Sequence, residues 1–464
     1  MKSLSTILTS IILCLFLLES CKKESFITSK DARLGTSVDS LKFDTVFTAT
    51  GSVTKSFKIL NNNDQKILLS KIKLGGGISS PYKMNVNGVA APELNNVEIA
   101  ANDSIYVFVT VTVNPTTANL PFILSDSVSI NYNGLTRFVQ LEAFGQNAIY
   151  IRNGIIPGNV TFTNTLPYVI LGGLQIINTG TLTINAGTKI YCHADAPILV
   201  DGKLVSNGTK TEPVIFAGDR LDDPYNAFPA AWPGIYFRTN SKDNLLQFTS
   251  IKNAYQAVVV LNPSVNANPK LILRQCLIDN AFDAALLCSN TNVVAENCLF
   301  SNSGRNVHIE KGGTYSFTHC TMPAYSNNFV AHKRPAVFLS DADAENQTAA
   351  LNATLRNCIM YGDAGFVESD LQTSKVGGSF IVNVDRCLYR AVSDPANTII
   401  TQSIKNIDPS FDSINVARQF YNFRITKNAN APGINKAIVT SLLKDLDDKN
   451  RNVGLPDIGA YEKQ

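Results

Sequence analysis

Short apolar stretches alternate with polar positions along most of the chain, and Asn, Gly and Asp residues separate the stretches. The clearest alternation runs over residues 104–113, where every second residue from Ile105 to Val113 is aliphatic. A period of two is typical of a strand with one buried face. Further strands are predicted at residues 56–60, 67–74, 82–86, 127–132 and 138–144. Short strands at this spacing predict an immunoglobulin-like β-sandwich over residues 31–147.

The remaining residues, 148–464, contain a repeat that is marked by cysteine. Cys276, Cys298 and Cys320 lie 22 residues apart, and the next two cysteines follow after 38 and 29 residues. We interpret the longer intervals as the same repeat carrying insertions. A repeat of this length, with short strands and polar turns, is typical of a parallel β-solenoid, in which equivalent residues of successive coils stack in ladders. Both parts of the chain therefore predict an all-β protein.

Nine cysteines raise the question of disulfide bonds. Setting aside Cys14 and Cys21 leaves seven, an odd number that cannot pair completely. Because cysteine is small and apolar enough for an internal ladder, we interpret the seven as buried free thiols. Disulfides between neighbouring coils are the alternative, since the separation of adjacent strands is close to the distance that a disulfide spans.

The N-terminus has the pattern of an export signal. Residues 7–18 form an apolar run that is too short to span a bilayer but has the length of a signal-peptide core. Residues 18–21, Leu-Glu-Ser-Cys, resemble a bacterial lipobox. That resemblance implies a signal peptide over residues 1–20, acyl chains such as palmitate on Cys21, and a tether over residues 21–30. An ordinary secretory signal with a chance cysteine is the alternative.

Several further strings resemble one family. Residues 182–188, 199–204, 212–216 and 232–237 resemble the first rungs of right-handed parallel β-helix lipoproteins from Bacteroidetes. Residues 456–462, Pro-Asp-Ile-Gly-Ala-Tyr-Glu, resemble the terminal motif of choice-of-anchor Q proteins. The resemblance implies a right-handed parallel β-helix over residues 148–464 and a lipoprotein of the outer membrane, exposed at the cell surface. We expect the motif to cap the last rung, with Tyr461 packing and Asp457 closing a turn.

Charge narrows the possible partners. The formal net charge is +3, only 17% of residues are charged, and no block of basic residues is present. Nucleic acid is therefore not expected as a partner, and the membrane is expected to be reached through the lipid anchor.

Many β-helix proteins cleave polysaccharides, so the sequence must be searched for that chemistry. Asp-Asp pairs occur at residues 222–223 and 447–448, and the other motifs of polygalacturonase-like enzymes are absent. Inverting hydrolysis needs two carboxyl groups about 6.5–9.5 Å apart across the sugar, and no pair at equivalent repeat positions offers this. Enzymatic activity, as a diverged polysaccharide lyase or glycoside hydrolase, stays an alternative.

Two regions have a composition that suits ligand binding. The insertion over residues 323–346 is the largest between cysteine-marked coils, and insertions on one side of a solenoid often form its binding surface. The second region combines aromatic, acidic and Arg side chains that suit a sugar. Its candidate residues are Asp219, Arg220, Asp222, Asp223, Tyr225 and Trp232. The alternative for Trp232 is that it packs this loop onto the solenoid.

Two smaller groups complete the candidates. His308 and Glu310 should share the outer face of one strand, either as an acid-base pair or as a solvated surface. Asp341, Asp343 and Glu345 alternate like calcium ligands, although the glycine and the final glutamate of a calcium loop are missing. No cofactor is otherwise expected, and no spacing resembles a zinc site.

These patterns together predict a lipid-anchored cell-envelope protein whose β-helix binds glycan or another surface component without catalysis. A polysaccharide-degrading enzyme and a structural spacer are the alternatives.

Overall fold

The computed structural model describes residues 25–48, 52–114, 121–451 and 453–463. The predicted signal peptide and Cys21 lie outside these residues. The chain divides into two compact units, Met1–Asn147 and Ala148–Gln464. Regular structure in the described residues is β, apart from two single-turn 3-10 helices, Gly77–Ser79 and Tyr225–Ala227. No helix in the described part of the chain has the length and apolar content needed to cross a bilayer.

The first unit contains two five-stranded sheets with the orders β1-β3-β8-β5-β6 and β2-β10-β9-β4-β7. Strand β2 pairs with β10 in parallel, and the other pairs are antiparallel. The strands are β1 Leu34–Thr36, β2 Ser40–Phe47, β3 Lys55–Asn61, β4 Ile67–Leu74, β5 Tyr82–Val86, β6 Val89–Ala90, β7 Glu93–Ile99, β8 Ser104–Val111, β9 Phe122–Tyr132 and β10 Leu135–Gln146.

One hydrophobic core joins these two sheets. Val107 and Val109 of β8 and Ile72 of β4 belong to the same buried cluster as Val128 of β9 and Leu141 of β10. The period of two that predicts the strands is explained, because alternate residues enter this core. All six predicted strands are present, while the immunoglobulin-like architecture stays a prediction.

The second unit is dominated by a parallel sheet of 26 strands. Two further strands, β37 Ser413–Asn415 and β38 Phe420–Asn422, form an antiparallel pair. The 26 strands are β11 Ile149–Ile156, β12 Asn159–Phe162, β13 Tyr168–Ile176, β14 Thr181–Asn185, β15 Lys189–Cys192, β16 Ile198–Val200, β17 Lys203–Asn207, β18 Val214–Gly218, β19 Ile235–Phe237, β20 Asn244–Gln247, β21 Thr249–Lys252, β22 Gln256–Leu261, β23 Leu271–Arg274, β24 Leu277–Asp279, β25 Ala284–Glu296, β26 Leu299–Ser301, β27 Val307–Thr318, β28 Thr321–Ala324, β29 Val337–Ser340, β30 Leu351–Arg356, β31 Ile359–Gly362, β32 Leu371–Ser374, β33 Phe380–Asp385, β34 Leu388–Tyr389, β35 Ile399–Thr401 and β36 Ile404–Lys405.

The register of these strands follows the cysteine repeat. Leu277 pairs with Leu299, and Leu299 with Thr321, so each step is one 22-residue coil. Thr321 then pairs with Ile359, and Ile359 with Leu388, across the intervals of 38 and 29 residues. The two longer intervals are therefore single coils with insertions, and the arrangement is compatible with a parallel β-helix.

Each coil turns a corner immediately before its cysteine. The corner residues have positive φ angles, from +48° at Arg386 to +56° at Asn357. Gln275, Asn297 and His319 occupy the same position in the preceding coils. A left-handed backbone is costly for most residues and is best tolerated by Asn and Gly, so this corner restricts the sequence.

The outer side of these corners is covered by the C-terminal strap, defined as residues 423–463. Gln275 Nε2 donates to the carbonyl of Asp445 at 2.9 Å, and Asn297 Nδ2 donates to that of Lys444 at 2.8 Å. Asn357 Nδ2 donates to the carbonyl of Ile438 at 2.9 Å, and Asn357 Oδ1 accepts from the N–H of Ile438 at 3.0 Å. The corner amides of several coils therefore hold one distant segment of the chain.

Apolar contacts and a buried arginine complete the attachment of the strap. Ile458 packs with Ile359 and Leu388, whose side chains point out of the coils. Arg451 is fully buried and donates to Asn297 Oδ1 at 2.7 Å and to Glu462 Oε2 at 3.1 Å. Burial raises the pKa of Glu462 to about 7.

These contacts correct the expectation that the terminal motif caps the last rung. Gly459 donates its N–H to the carbonyl of Asn357 at 2.8 Å, and Ala460 donates to Thr321 Oγ1 at 2.8 Å. The motif thus binds along the flank of the coils. Tyr461 is buried, as expected. Asp457 accepts from the backbone N–H groups of Asn435 and Lys463, so it joins two separate segments of the strap and does not close a local turn.

The seven cysteines of the described residues are free and fully buried, as the repeat predicts. Several thiols donate to a backbone carbonyl of the preceding coil, for example Cys276 to Leu246 at 3.1 Å and Cys387 to Leu355 at 3.4 Å. Burial raises the pKa of the Cys276 and Cys298 thiols well above its ordinary value. At these two positions the ladder therefore holds neutral thiols inside the core.

We predict that none of these seven thiols reacts with a thiol reagent in the native protein, because reaction requires an accessible thiolate. All seven should react in urea without a reductant, as measured by alkylation and mass spectrometry. The exposed variant Lys375→Cys is the control and should react in the native state. A pair that resists alkylation in urea until reductant is added would reveal a disulfide and contradict the prediction.

Candidate functional site

Asparagine recurs at a second corner of the coils, after β21, β24 and β26. Asn253, Asn280 and Asn302 have φ angles of +61°, +57° and +49°. The Nδ2 atom of Asn280 donates to Oδ1 of Asn253 at 2.8 Å, which joins neighbouring coils. Asparagine tolerates this backbone conformation, and the parallel register then places its amides side by side. We call these three residues the asparagine column.

The asparagine column holds the loop of residues 219–228 against the coils. Asn253 Nδ2 donates to the carbonyl of Asn226 at 2.7 Å, and Asn280 Nδ2 donates to that of Ala227 at 2.9 Å. Each amide thus satisfies a loop carbonyl that the irregular backbone cannot pair within a sheet.

The same column holds the insertion of residues 323–346. Asn280 Oδ1 accepts from Asn327 Nδ2 at 3.0 Å, and Asn302 Oδ1 accepts from the N–H of Tyr325 at 3.2 Å. The rings of Phe228 and Phe329 then lie 4.8 Å apart. The loop and the insertion, two separate candidates in the sequence, therefore meet over the same coils.

Between these segments lies a groove of about 260 Å³. Its lining combines amide, charged and aromatic side chains. The lining residues are Asn226, Ala227, Lys252, Asn253, Asp279, Asn280, Asn302, Asn327, Phe329, Gln419 and Tyr421. A concave surface with few aromatic residues and several fixed polar groups is typical of a small-molecule or saccharide site.

The two aromatic side chains of the groove differ in how far they are exposed to a ligand. Phe329 is 41% exposed, so part of its ring is open to a ligand. Tyr421 is partly buried, and its hydroxyl donates to the carbonyl of Ser326 at 3.0 Å. Phe329 can therefore stack on the apolar face of a sugar, while Tyr421 forms a fixed wall.

Charge in the groove comes from Lys252 and Asp279. Asp279 accepts a hydrogen bond from Ser301 Oγ at 2.6 Å. Burial raises the pKa of Asp279, while Ser301 and the Lys252 ammonium oppose the shift. Among the described residues that line the groove, Asp279 is the only carboxylate. The groove can donate and accept hydrogen bonds but lacks the facing carboxyl pair of a glycosidase.

Trp232 is not a sugar-stacking residue, which corrects that candidate. Its side chain is fully buried, Nε1 donates to the carbonyl of Lys252 at 2.9 Å, and its ring stacks with that of Phe216 at 6.4 Å. The indole therefore presents no face to a ligand and packs within the core, as the alternative interpretation states.

The other candidates in the loop do not line the groove. Arg220 makes two hydrogen bonds to Asp222, at 2.7 and 2.9 Å, and its guanidinium lies 3.9 Å from the ring centre of Tyr225. Asp219 pairs with His193 at 2.7 Å, and Asp223 accepts from Asn226 at 2.8 Å. These polar groups order the loop, and its neighbouring residues line the groove.

His308 and Glu310 share the outer face of β27, as expected, with 3.6 Å between Nε2 and Oε2. The His308 ring stacks on Phe338 with the centroids 5.1 Å apart. Neither residue lines the groove.

The three calcium candidates have different surroundings. Asp341 is buried and accepts from the N–H groups of Val376 and Gly377 at 2.7 and 3.0 Å. Asp343 accepts from the N–H of Gln347 at 2.8 Å and pairs with Lys311 at 3.1 Å. Within the described residues, no group of three or more His, Cys, Asp or Glu side chains is arranged to hold a metal ion. Calcium binding through these residues and Glu345 stays a prediction.

Comparison with known proteins identifies no family for the chain. No family model matches it, and a search of curated proteins finds no match. One solved structure with a weak likeness is a family 123 glycoside hydrolase from Clostridium perfringens, which was analysed for glycolipid glycan hydrolysis. The alignment has a TM-score of 0.20 and 10% identity, and it covers 25% of this chain and 30% of that chain. A likeness of this size supports no inference about function.

A buried ionic network secures the insertion that forms one side of the groove. His332 lies 2.7 Å from Asp363 and 3.0 Å from Asp370, and Arg390 Nε donates to Asp370 at 2.8 Å. The His332 and Asp370 side chains are almost completely buried. Burial alone would lower the pKa of His332, but the hydrogen bonds and charges of the two carboxylates raise it to about 9.

We predict that alkaline pH destabilises the second unit through His332. Since its pKa is higher in the folded than in the unfolded chain, its contribution is complete below pH 6.5 and is lost as the pH rises through about 9. The loss is about 3 kcal/mol and should appear in urea unfolding curves between these pH values. His332→Gln should remove this pH dependence, and the exposed His193→Gln should retain it. An unchanged pH dependence in His332→Gln would contradict the assignment.

Proposed function

We propose that this chain is a lipid-anchored cell-envelope protein that binds glycan in the groove of its second unit without cleaving it. The observation that carries the proposal is the asparagine column, which joins three coils, one loop and one insertion into a preformed groove. Fixed amides can bond sugar hydroxyls, and the exposed Phe329 ring can cover the apolar face of a sugar.

The absence of a facing carboxyl pair supports binding over hydrolysis. Asp279 is the only carboxylate among the described groove-lining residues, and Ser301 already bonds it. A retaining or an inverting glycosidase uses two carboxyl groups on opposite sides of the scissile bond. This lining favours a binding protein over the enzyme alternative.

The remaining parts of the proposal rest on the sequence. The lipobox-like residues 18–21 support acylation of Cys21 and attachment to the outer membrane. Residues 22–24, Lys-Lys-Glu, resemble the charged signal with which Bacteroidetes send lipoproteins outward, and this resemblance supports exposure at the cell surface. The family resemblance supports a right-handed β-helix behind an immunoglobulin-like first unit. In this arrangement the first unit is a spacer or docking module, and the second unit presents the groove.

We predict that Phe329→Ala weakens glycan binding about tenfold, because an exposed aromatic ring in such a groove supplies stacking area. The mature protein would first be screened on a broad glycan array, and affinities would then be measured by calorimetry. Phe138→Ala is the control, since Phe138 is also an exposed aromatic residue but lies on β10 in the first unit.

Two other results of this experiment would favour one of the alternative functions, a structural spacer or an enzyme. The absence of binding to any glycan would contradict the proposal and favour a structural spacer. Release of reducing ends or unsaturated sugars from a bound glycan would instead identify an enzyme.

We predict that Cys21→Ser abolishes incorporation of labelled palmitate and releases the protein from the membrane fraction, because the acyl chains need the thiol. Cys14→Ser is the matched control and should remain labelled and membrane-bound. Equal labelling of Cys21→Ser and the native protein would contradict the anchor. Protease treatment of intact cells tests the exposure of the protein at the surface.

A further inference from the structure

A second pocket on the same unit is built on three consecutive rungs of the solenoid. His308 of β27 pairs in register with Phe338 of β29, and Phe338 pairs with Gln372 of β32. The three side chains form the floor of a pocket of about 180 Å³. Since parallel strands fix the floor, the pocket is preformed.

Two arginines stand beside this floor. Arg305 precedes β27, and Arg334 lies in the insertion with Pro335, which also lines the pocket. The stacked rings of His308 and Phe338 add an apolar surface. The pocket thus combines two guanidinium groups with an aromatic and a proline surface, which are chemically distinct from the lining of the groove.

The positive charge of the pocket is only partly neutralised. Arg305 donates through Nη2 to Asp283, a carboxylate that also accepts from Gln256. Arg305 Nε is buried and has no hydrogen-bond partner among the described residues. Within the same part of the chain, no carboxylate lies at ion-pair distance from the exposed Arg334, which interacts with Asp283 only at longer range.

Two guanidinium groups line one small pocket, and Arg334 forms no ion pair within the described residues, so the pocket favours an anionic ligand. Guanidinium groups bind carboxylate and sulfate oxygens through paired N–H donors, with better geometric match than an ammonium group provides. Glu310 contacts His308 on the outer face and does not line the pocket.

We propose that this pocket binds an oxyanion substituent, a carboxylate or a sulfate ester, of an acidic saccharide. The choice of a saccharide rests on the proposed function, whereas the affinity for an oxyanion does not. Asn302 of the groove is close in sequence to Arg305 of the pocket, and Phe329 of the groove is close to Arg334. Short segments therefore join the two sites, so that one extended glycan can contact both.

The test compares charged with neutral ligands by calorimetry on the mature protein. The oligosaccharides are an oligogalacturonide, a heparin-derived fragment and a neutral galactan fragment of equal length, and the small probes are sodium glucuronate and sodium sulfate. At least one acidic oligosaccharide should bind about tenfold more tightly than the neutral one, and added sodium chloride should reduce this difference. The uronate and sulfate arms identify which oxyanion the pocket prefers.

Arg334→Gln should remove the preference for the acidic oligosaccharide, since the side chain is exposed and its replacement leaves the fold intact. Arg152→Gln is the matched control, because Arg152 is an exposed arginine on β11 of the same unit. An equal affinity for acidic and neutral oligosaccharides, or an unchanged preference in Arg334→Gln, would overturn the oxyanion pocket and leave the groove intact.

The two proposals fail in different ways. Binding of glucuronate or sulfate that depends on Arg334, without binding of any oligosaccharide, would support the pocket as an oxyanion site and overturn the glycan proposal. No binding of any probe would overturn both.

Discussion

The in-register pairing of parallel strands is the constraint on which the second unit depends. Because each strand bonds its equivalent in the next coil, a position that faces the core in one coil faces it in its neighbours. The corners repeat in the same way, so the left-handed position of Asn297 and Asn357 recurs before the cysteines that mark the repeat. Chemical variety is then left to the outward side chains and to insertions between strands. The groove and the arginine pocket are built from those two sources.

Much of this architecture could be predicted because it is repeated locally. The cysteine spacing predicts which residues of successive coils pair, and the alternation of apolar and polar residues around Val107 predicts a strand of the first unit. Other features could not be predicted because they depend on distant contacts. The burial of Trp232 is set by its neighbours in the coil, and the strap reaches Asn297 from residues 444 and 451. One signal of the strap was present: Leu299 and Phe300 are consecutive apolar residues, which indicates a strand covered on both faces.

The groove shows why a site on a solenoid is hard to predict from sequence. Asn280 and Asn302 lie at turns, where asparagine is an ordinary residue, but stacking also makes them part of one polar surface. The insertion, which is expected to form a binding surface, lines the groove through Asn327 and Phe329, whereas Gln419 and Tyr421 come from a distant hairpin. A turn residue acquires a second role when its equivalents lie one strand spacing away. No local pattern distinguishes the two roles.

The strap also orders events during synthesis. Coils can stack as they leave the ribosome, because each contacts mainly its neighbours. Their flank, including Leu299, Ile359 and Leu388, stays uncovered until the residues of the strap are made. A chain that is truncated near its end would keep its coils but expose a strip of apolar side chains. A chain that contains the strap thus differs in its surface from one that lacks it, and the exposed strip is the kind of surface that chaperones and proteases bind.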